Sequence, residues 1–236
     1  MKRMDWQALA ARLPLVIAAA AAPVAFPLSQ MGIGSLHTLG LELILPAAVF
    51  LMGAFIILRI LGYREVARLM LRGGIAGAVA TLALEAVRYP GFKLGFMPGN
   101  LPELMGVLLL NRFALGPSVP STLAGFGYHF WDGACFGIIF ALLRGRASKW
   151  WAIPYALAIG VGFLGSPVVQ ALGVGLFGRD FGWHFAATVL TAHAAFGAAL
   201  GALIELRIHG DRSQAAVGTG VATKPSSILS NGGSKE

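Results

Sequence analysis

The sequence is short of charged residues and has a single cysteine. Only 12% of its 236 residues are charged, about half the share that ordinary soluble domains carry. Hydrophobic residues make up 57% of the chain, and a soluble protein of this length has no interior large enough to bury them all. The bilayer must therefore act as solvent for most of this surface. The lone Cys135 excludes an internal disulfide and a Cys-x2-Cys metal site.

Signature motifs of the common enzyme classes are also missing from the sequence. It contains no Walker motif, no G-x-S-x-G, no H-E-x-x-H and no protein-kinase signature. Its abundant glycines, 32 in all, show no collagen-like period. In membrane helices, glycine lets neighbouring backbones approach closely. The sequence thus favours a non-catalytic role over an enzymatic one.

Six apolar stretches are long enough to cross a hydrocarbon core of about 30 Å, which takes about 20 helical residues. They lie near residues 12–29, 40–60, 73–90, 122–143, 151–177 and 184–205. We therefore predict an all-α integral membrane protein, with a bundle of about six transmembrane helices over 12–210 after a short cytoplasmic segment, 1–11. Residues 211–236 are rich in small and polar side chains without periodicity, which predicts a disordered cytoplasmic tail.

Basic residues lie in short loops between the apolar stretches, so the net charge of +8 reflects topology and not nucleic-acid binding. Fourteen of the eighteen Lys and Arg residues fall on the side that holds both termini. The positive-inside rule places that side in the cytoplasm. We expect a multi-pass protein of the bacterial inner membrane, surrounded by lipids, with the loops 30–39, 91–121 and 178–183 facing outward.

Two segments of the sequence allow alternative interpretations. The first apolar run follows a basic start at 1–12 and also resembles a signal peptide. Its length and the lack of a clean cleavage site favour a retained helix. The outer loop 91–121 contains an apolar stretch, 101–111, that is too short to span, so it is either a re-entrant or interfacial helix or a lid on the bundle. In the fifth span, Ser166-Pro167 is expected to kink the helix.

Two of the predicted spans share the motif His-x3-Gly-x3-Gly at an offset of 64 residues. It reads His129, Gly133 and Gly137 in the fourth span, and His193, Gly197 and Gly201 in the sixth. Residues four apart lie on one helix face, so we expect each histidine to stand above a glycine groove at a helix–helix contact. Pairing the third span with the fourth, and the fifth with the sixth, predicts a parallel two-helix repeat.

Several of these motifs also occur together in a known family. They are Gly74-Ile-Ala-Gly77-Ala-Val-Ala-Thr81, Met105-Gly106, the motif at 129–137 with Phe136 and Ala141-Leu142-Leu143, and the motif at 193–201 with Phe196. On these residues the stretch 72–205 resembles a family of small bacterial and archaeal polytopic membrane proteins, classed as a domain of unknown function. The resemblance implies a helical membrane bundle and brings no activity, substrate or cofactor.

Ionisable side chains within a span are costly and mark candidate functional sites. Four lie in the outer half of the predicted bundle: Glu85, His129, Asp132 and His193. Three chemistries fit them: a b-type haem between the two histidines, a divalent metal bound by all four residues, and a path for protons or solutes. In the structural alternative, the histidines hydrogen-bond to neighbouring helices and Glu85 pairs with Arg88.

The sequence therefore leads to three functional hypotheses. The first is a non-catalytic accessory or structural membrane subunit, which packs through glycine-rich faces against other membrane subunits or a second copy of itself. The second is a haem b- or metal-binding membrane protein that uses His129 and His193. The third is a transporter of small solutes or ions.

Overall fold

The computed structural model describes residues 6–144 and 149–219, and all regular elements in these two ranges are helical. The helices are α1 Trp6–Gln30, α2 Leu36–Leu39, α3 Leu45–Ile60, α4 Arg64–Lys93, α5 Leu101–Leu109, α6 Val119–Arg144, α7 Ala152–Leu164, α8 Pro167–Ala171 and α9 Trp183–Thr219. A π-helical turn, Gly40–Ile44, joins α2 to α3, and 3-10 turns occur at Phe113–Leu115, Lys149–Trp151 and Leu176–Gly178. The prediction of an all-α chain is confirmed for the described residues.

Five helices in the described ranges are long and apolar enough to cross a membrane. They cover Ala11–Gln30, Leu36–Ile60, Arg64–Lys93, Val119–Arg144 and Trp183–Ile204, and they correspond to the first four predicted spans and the sixth. The predicted number of six membrane-length helices is therefore not confirmed. The fifth predicted span, 151–177, contains only α7, which has 13 residues and is about 20 Å long, and the shorter α8.

Ser166 and Pro167 break this segment, where the sequence predicts only a kink. Pro167 has no N–H to donate, and it disfavours helical dihedral angles in the residue before it. Ser166 is accordingly extended, at φ −80° and ψ 160°. Its N–H donates to the carbonyl oxygen of Phe163 at 3.0 Å and closes the last turn of α7. Pro167 then begins α8, a position that suits its fixed φ.

The predicted terminal segments are described only in part. Helix α1 begins at Trp6, inside the predicted N-terminal segment 1–11, and residues 1–5 lie outside the described residues. Helix α9 does not end at the predicted boundary of 210 but continues to Thr219. It therefore includes 211–219 of the segment predicted to be a disordered tail, and 220–236 lie outside the described residues.

The apolar stretch in the outer loop forms α5, which packs tightly against the start of α6. A Cβ on Gly106 would meet the carbonyl oxygen of Ser121, and a Cβ on Gly125 would meet the carbonyl oxygen of Pro102. The absence of side chains at the two glycines lets the two helix backbones touch. Helix α5 is thus held against the bundle at the end where α4 finishes and α6 begins.

Helices α4 and α6 also touch through their backbones, at four glycines. A Cβ on Gly77 would meet the carbonyl oxygen of Gly133, and a Cβ on Gly137 would meet the carbonyl oxygen of Gly73. The partner numbers rise on one helix as they fall on the other, so the pair is antiparallel. The hydroxyl of Thr81 donates to the carbonyl oxygen of Gly77 at 3.0 Å, which satisfies this polar group inside the contact.

Helix α9 packs against α4 on one side and α7 on the other. Towards α4, Phe196 is buried in one cluster with Ala80. Towards α7, a Cβ on Gly197 would lie 2.6 Å from the carbonyl oxygen of Ala152. Gly201, one turn further along α9, is buried as well.

Helix α1 is built into the core of the bundle. The hydroxyl of Tyr128 donates to the carbonyl oxygen of Ala22 at 2.7 Å. Near the other end of α1, Arg12 donates from Nη1 to the carbonyl oxygen of Leu142 at 3.1 Å. Both bonds join α1 to α6.

Gly133→Leu is expected to destabilise the fold, because a side chain would separate α4 from α6 at a backbone contact. Overpacking of this kind costs about 1–3 kcal/mol, so the variant in detergent should melt below the wild-type temperature. Gly127→Leu on the same helix is the matched control, since a Cβ there would meet no atom within 4 Å. Equal melting temperatures for the two variants would contradict the packing role.

Candidate functional site

A cavity of about 310 Å³ lies where α1, α4, α5, α6, α7, α8 and α9 converge. Most of its wall is apolar and includes phenylalanine rings from four helices: Phe26, Phe136, Phe163 and Phe196. The polar side chains in the wall are those of Thr81, Arg88, His129, Asp132, Ser166 and His193. The fold therefore brings both predicted histidines and Asp132 to one cavity.

Glu85, Arg88 and His129 form an ionic cluster beside this cavity. Arg88 donates from Nε and from Nη2 to the two carboxylate oxygens of Glu85, at 2.6 Å each. Its Nη2 also donates to Oδ1 of Asn100 at 3.0 Å. The Nε2 of His129 lies 2.9 Å from Oε1 of Glu85. Arg88 is only 4% exposed, so this carboxylate provides the compensation that a buried guanidinium requires.

Helix spacing and helix register explain why this cluster forms. Glu85 and Arg88 are three residues apart on α4, so they share one face. The contact between Gly77 and Gly133 sets the register of α4 against α6. In that antiparallel register, position 129 of α6 lies beside position 81 of α4, one turn from Glu85. The imidazole of His129 reaches across the distance of this one turn to the carboxylate of Glu85.

His193 is held differently, against α7. Its Nδ1 lies 2.8 Å from the carbonyl oxygen of Val189, one turn earlier on α9. A carbonyl oxygen only accepts hydrogen bonds, so we assign the proton to Nδ1, and Nε2 is then an acceptor. The ring lies over Gly160 of α7, where a Cβ would come within 2.9 Å of its Cγ. The glycine thus makes room for the imidazole at the cavity wall.

Three polar atoms around the cavity are buried and have no hydrogen-bond partner among the described protein groups. They are Nη1 of Arg88, Oδ1 of Asp132 and Oγ of Ser166. A buried group without a partner costs about 1–3 kcal/mol, and more when it is charged. Native proteins contain few such atoms. Three of them around one largely apolar cavity are typical of a site that binds a ligand.

The metal interpretation finds no support in this geometry. Within 6–144 and 149–219, no group of three or more His, Cys, Asp and Glu side chains lies close enough to hold a metal ion. An imidazole that binds a metal does so through one ring nitrogen, while the other donates to a carbonyl or carboxylate. His193 has that arrangement, but Nε2 of His129 already faces Glu85. Bis-imidazole haem ligation would require His129 to leave Glu85 or to use Nδ1.

Sequence reasoning identifies the ionisable residues of the site but misses Ser166, which it treats only as part of a kink. It names Phe136 and Phe196 only for the family resemblance and does not assign any phenylalanine ring to a site, because an aromatic residue in an apolar run carries no signal of its own. The sequence does contain one signal that could have pointed to two of these rings. Phe136 follows Asp132 by four residues and Phe196 follows His193 by three, so each ring shares a helix face with a candidate site residue.

Comparisons with known proteins add no functional information. No family model, no curated protein and no solved structure matches this chain. The resemblance of residues 72–205 to a family of unknown function therefore stays a prediction. The function has to be argued from the cavity itself.

Glu85→Ala is expected to be strongly destabilising, because it leaves the charge of Arg88 buried without its carboxylate. Removing one partner of a buried ion pair costs about 3–5 kcal/mol. The double variant Glu85→Leu/Arg88→Met removes both charges, so it should recover most of the lost stability. Thermal unfolding followed by circular dichroism measures this. If the double variant were as unstable as Glu85→Ala, the ion pair would not be the source of the loss.

Proposed function

We propose that this chain is a non-catalytic, multi-pass membrane protein that binds a small, largely apolar ligand with a polar group in the cavity between its helices. The observation that carries the proposal is the set of three buried, unpaired polar atoms on Arg88, Asp132 and Ser166. A ligand with an apolar body and one polar group would supply hydrogen bonds to these atoms and fill the space between the phenylalanine rings.

A purely structural role accounts for only part of this site. Glu85, Arg88 and His129 largely satisfy one another, and they need no ligand to do so. Packing alone gives no reason to direct Asp132 into a cavity where its Oδ1 has no partner among the described groups, since an ionisable group in a span is costly. Ligand pockets usually measure about 300–1,000 Å³. A cavity of about 310 Å³ therefore indicates a small ligand.

The haem and transporter alternatives have weaker support. Haem ligation by His129 competes with its contact to Glu85. A solute site inside a helical bundle is common in carriers, but a carrier must also open to the opposite side. Towards that opposite side, α4 and α6 are in backbone contact through their glycines, which leaves no room for a solute between the two helices. We therefore favour binding over transport.

An accessory role in a larger membrane assembly is compatible with this binding function. Helix α3 buries Leu51 and turns Val49, Met52 and Ile56 outwards as exposed side chains. Lipid chains or a second membrane subunit would cover this apolar face. None of the residues that line the cavity belongs to α3, so such a contact and ligand binding do not compete for the same surface.

We also propose six membrane crossings, one of them made by a broken helix. A Cβ on Gly91, near the end of α4, would lie 2.5 Å from Cγ2 of Thr188, near the start of α9. Because α4 is antiparallel to α6, the end of α4 lies beside the start of α6. The contact therefore supports the proposal that α6 and α9 start at the same end of the bundle. The return from Arg144 to Trp183 would then run through α7, α8 and 172–182. Because α6 and α9 run in the same direction, their shared motif fits the parallel two-helix repeat.

The proposed orientation, with both termini in the cytoplasm of a bacterial inner membrane, is tested by cysteine labelling. Leu115→Cys and Leu61→Cys replace side chains that are 72% and 65% exposed at opposite ends of the bundle. The native Cys135 is buried, so its background labelling should be low. A membrane-impermeant maleimide should label Leu115→Cys in intact cells, and Leu61→Cys only after permeabilisation. The reverse pattern would invert the topology.

Gly162→Leu is expected to abolish ligand binding. Gly162 lines the cavity at an exposed position, and a Cβ there would meet no atom within 4 Å, so leucine adds bulk at the cavity wall without a backbone clash. In equilibrium dialysis, wild-type protein in phosphatidylcholine nanodiscs should bind benzyl alcohol saturably, after subtraction of empty nanodiscs. Gly127→Leu, at an exposed position of α6, should bind like wild type. Absent binding, or binding insensitive to Gly162→Leu, would refute the proposal.

A further inference from the structure

We propose that the ligand of this cavity is an organic cation, an ammonium group carried on an apolar body, and that Asp132 is its counter-ion. The inference rests on the ligand-binding function proposed above and adds the charge of the ligand to it. Three features of the cavity lead to it: the balance of charge in its wall, the kinds of hydrogen-bonding atoms that are free, and the aromatic rings that line it.

The two charged residues in the cavity wall are not equivalent. Arg88 already has a full carboxylate partner, because both oxygens of Glu85 accept from its guanidinium at 2.6 Å. Asp132 has no such partner, since no Lys or Arg of the described residues forms an ion pair with it. An isolated carboxylate in an apolar, membrane-embedded site is costly. A bound cation would remove that cost, whereas a bound anion would increase it.

Two of the free hydrogen-bonding atoms of the wall are acceptors. Asp132 offers Oδ1, and His193 offers Nε2 because its Nδ1 donates to Val189. An ammonium N–H would find an acceptor in each of these two side chains. An anionic group would instead face both acceptors and would depend on Nη1 of Arg88 and the hydroxyl of Ser166. The two acceptors therefore give a cation hydrogen-bond partners, and the charge of Asp132, which has no counter-ion among the described residues, favours it over an anion.

Aromatic rings line the same cavity as these acceptors. Phe136 lies one turn after Asp132 on α6, so the ring and the carboxylate share one helix face. Phe26, Phe163 and Phe196 contribute rings from three further helices to the same cavity. Ammonium groups bind to the faces of aromatic rings, and the attraction is stronger in a site that excludes water. The same rings form an apolar surface for the hydrocarbon body of the ligand.

The test compares three probes of similar shape on the full-length protein in phosphatidylcholine nanodiscs. They are benzylammonium, its neutral carbon isostere ethylbenzene, and the anion phenylacetate. Equilibrium dialysis measures binding, and empty nanodiscs correct for partition into lipid. The cation should bind saturably and about tenfold or more tightly than the neutral isostere, with no saturable binding of the anion.

Asp132→Asn keeps the size of the side chain and removes its charge. It should weaken binding of the cation about tenfold or more and change binding of ethylbenzene by less than about twofold. Retained binding of the neutral probe shows that the cavity is still formed. Phe136→Leu is a second variant, and it leaves Asp132 in place. It should weaken binding of the cation more than binding of the neutral isostere.

The outcomes separate this inference from the function on which it rests. Equal or tighter binding of the neutral probe, tighter binding of the anion, or full cation affinity in Asp132→Asn would each overturn the assignment of a cation. If benzyl alcohol still binds and Gly162→Leu still abolishes its binding, the ligand-binding function stands without the cation. Saturable binding of none of the four molecules would overturn both.

Discussion

Backbone contact between α4 and α6 is the constraint on which the rest of the bundle depends. The glycine pairs bring the two helices so close that His129 of one reaches Glu85 of the other. That carboxylate in turn holds Arg88 in an apolar environment. Arg88 and Asp132 line the same cavity. The register of a single helix pair therefore determines both the ionic cluster and one wall of the candidate site.

The two histidine–glycine motifs show how one local pattern adapts to two surroundings. In both, a glycine one turn after the histidine lies against a neighbouring helix: Gly133 against α4 and Gly197 against α7. The neighbours differ, however. Helix α4 presents a carboxylate to His129, whereas α7 has no charged residue, so His193 bonds to the backbone of its own helix. The motif provides a glycine contact one turn after the histidine, and the neighbouring helix decides which group the histidine bonds to.

The sequence predicts most of the helices because the length of an apolar run is a direct requirement of the bilayer. It also identifies Glu85, His129, Asp132 and His193, since ionisable groups stand out in apolar runs. It does not predict the loss of a membrane-length helix at Pro167, because proline is often only a kink in membrane helices. Nor does it reveal which atoms are left without partners, such as Ser166 Oγ. That property depends on contacts between helices that are distant in sequence.

The break between α7 and α8 makes one wall of the cavity mechanically different from the others. Displacing α4, α6 or α9 would require whole helices to slide through close glycine contacts. Between Leu164 and Pro167 the chain has only turn hydrogen bonds, including that from Ser166 N to Phe163 O. Hinges in proteins are a few residues of this kind at the ends of elements. The wall at this turn could therefore bend without sliding the long helices past one another.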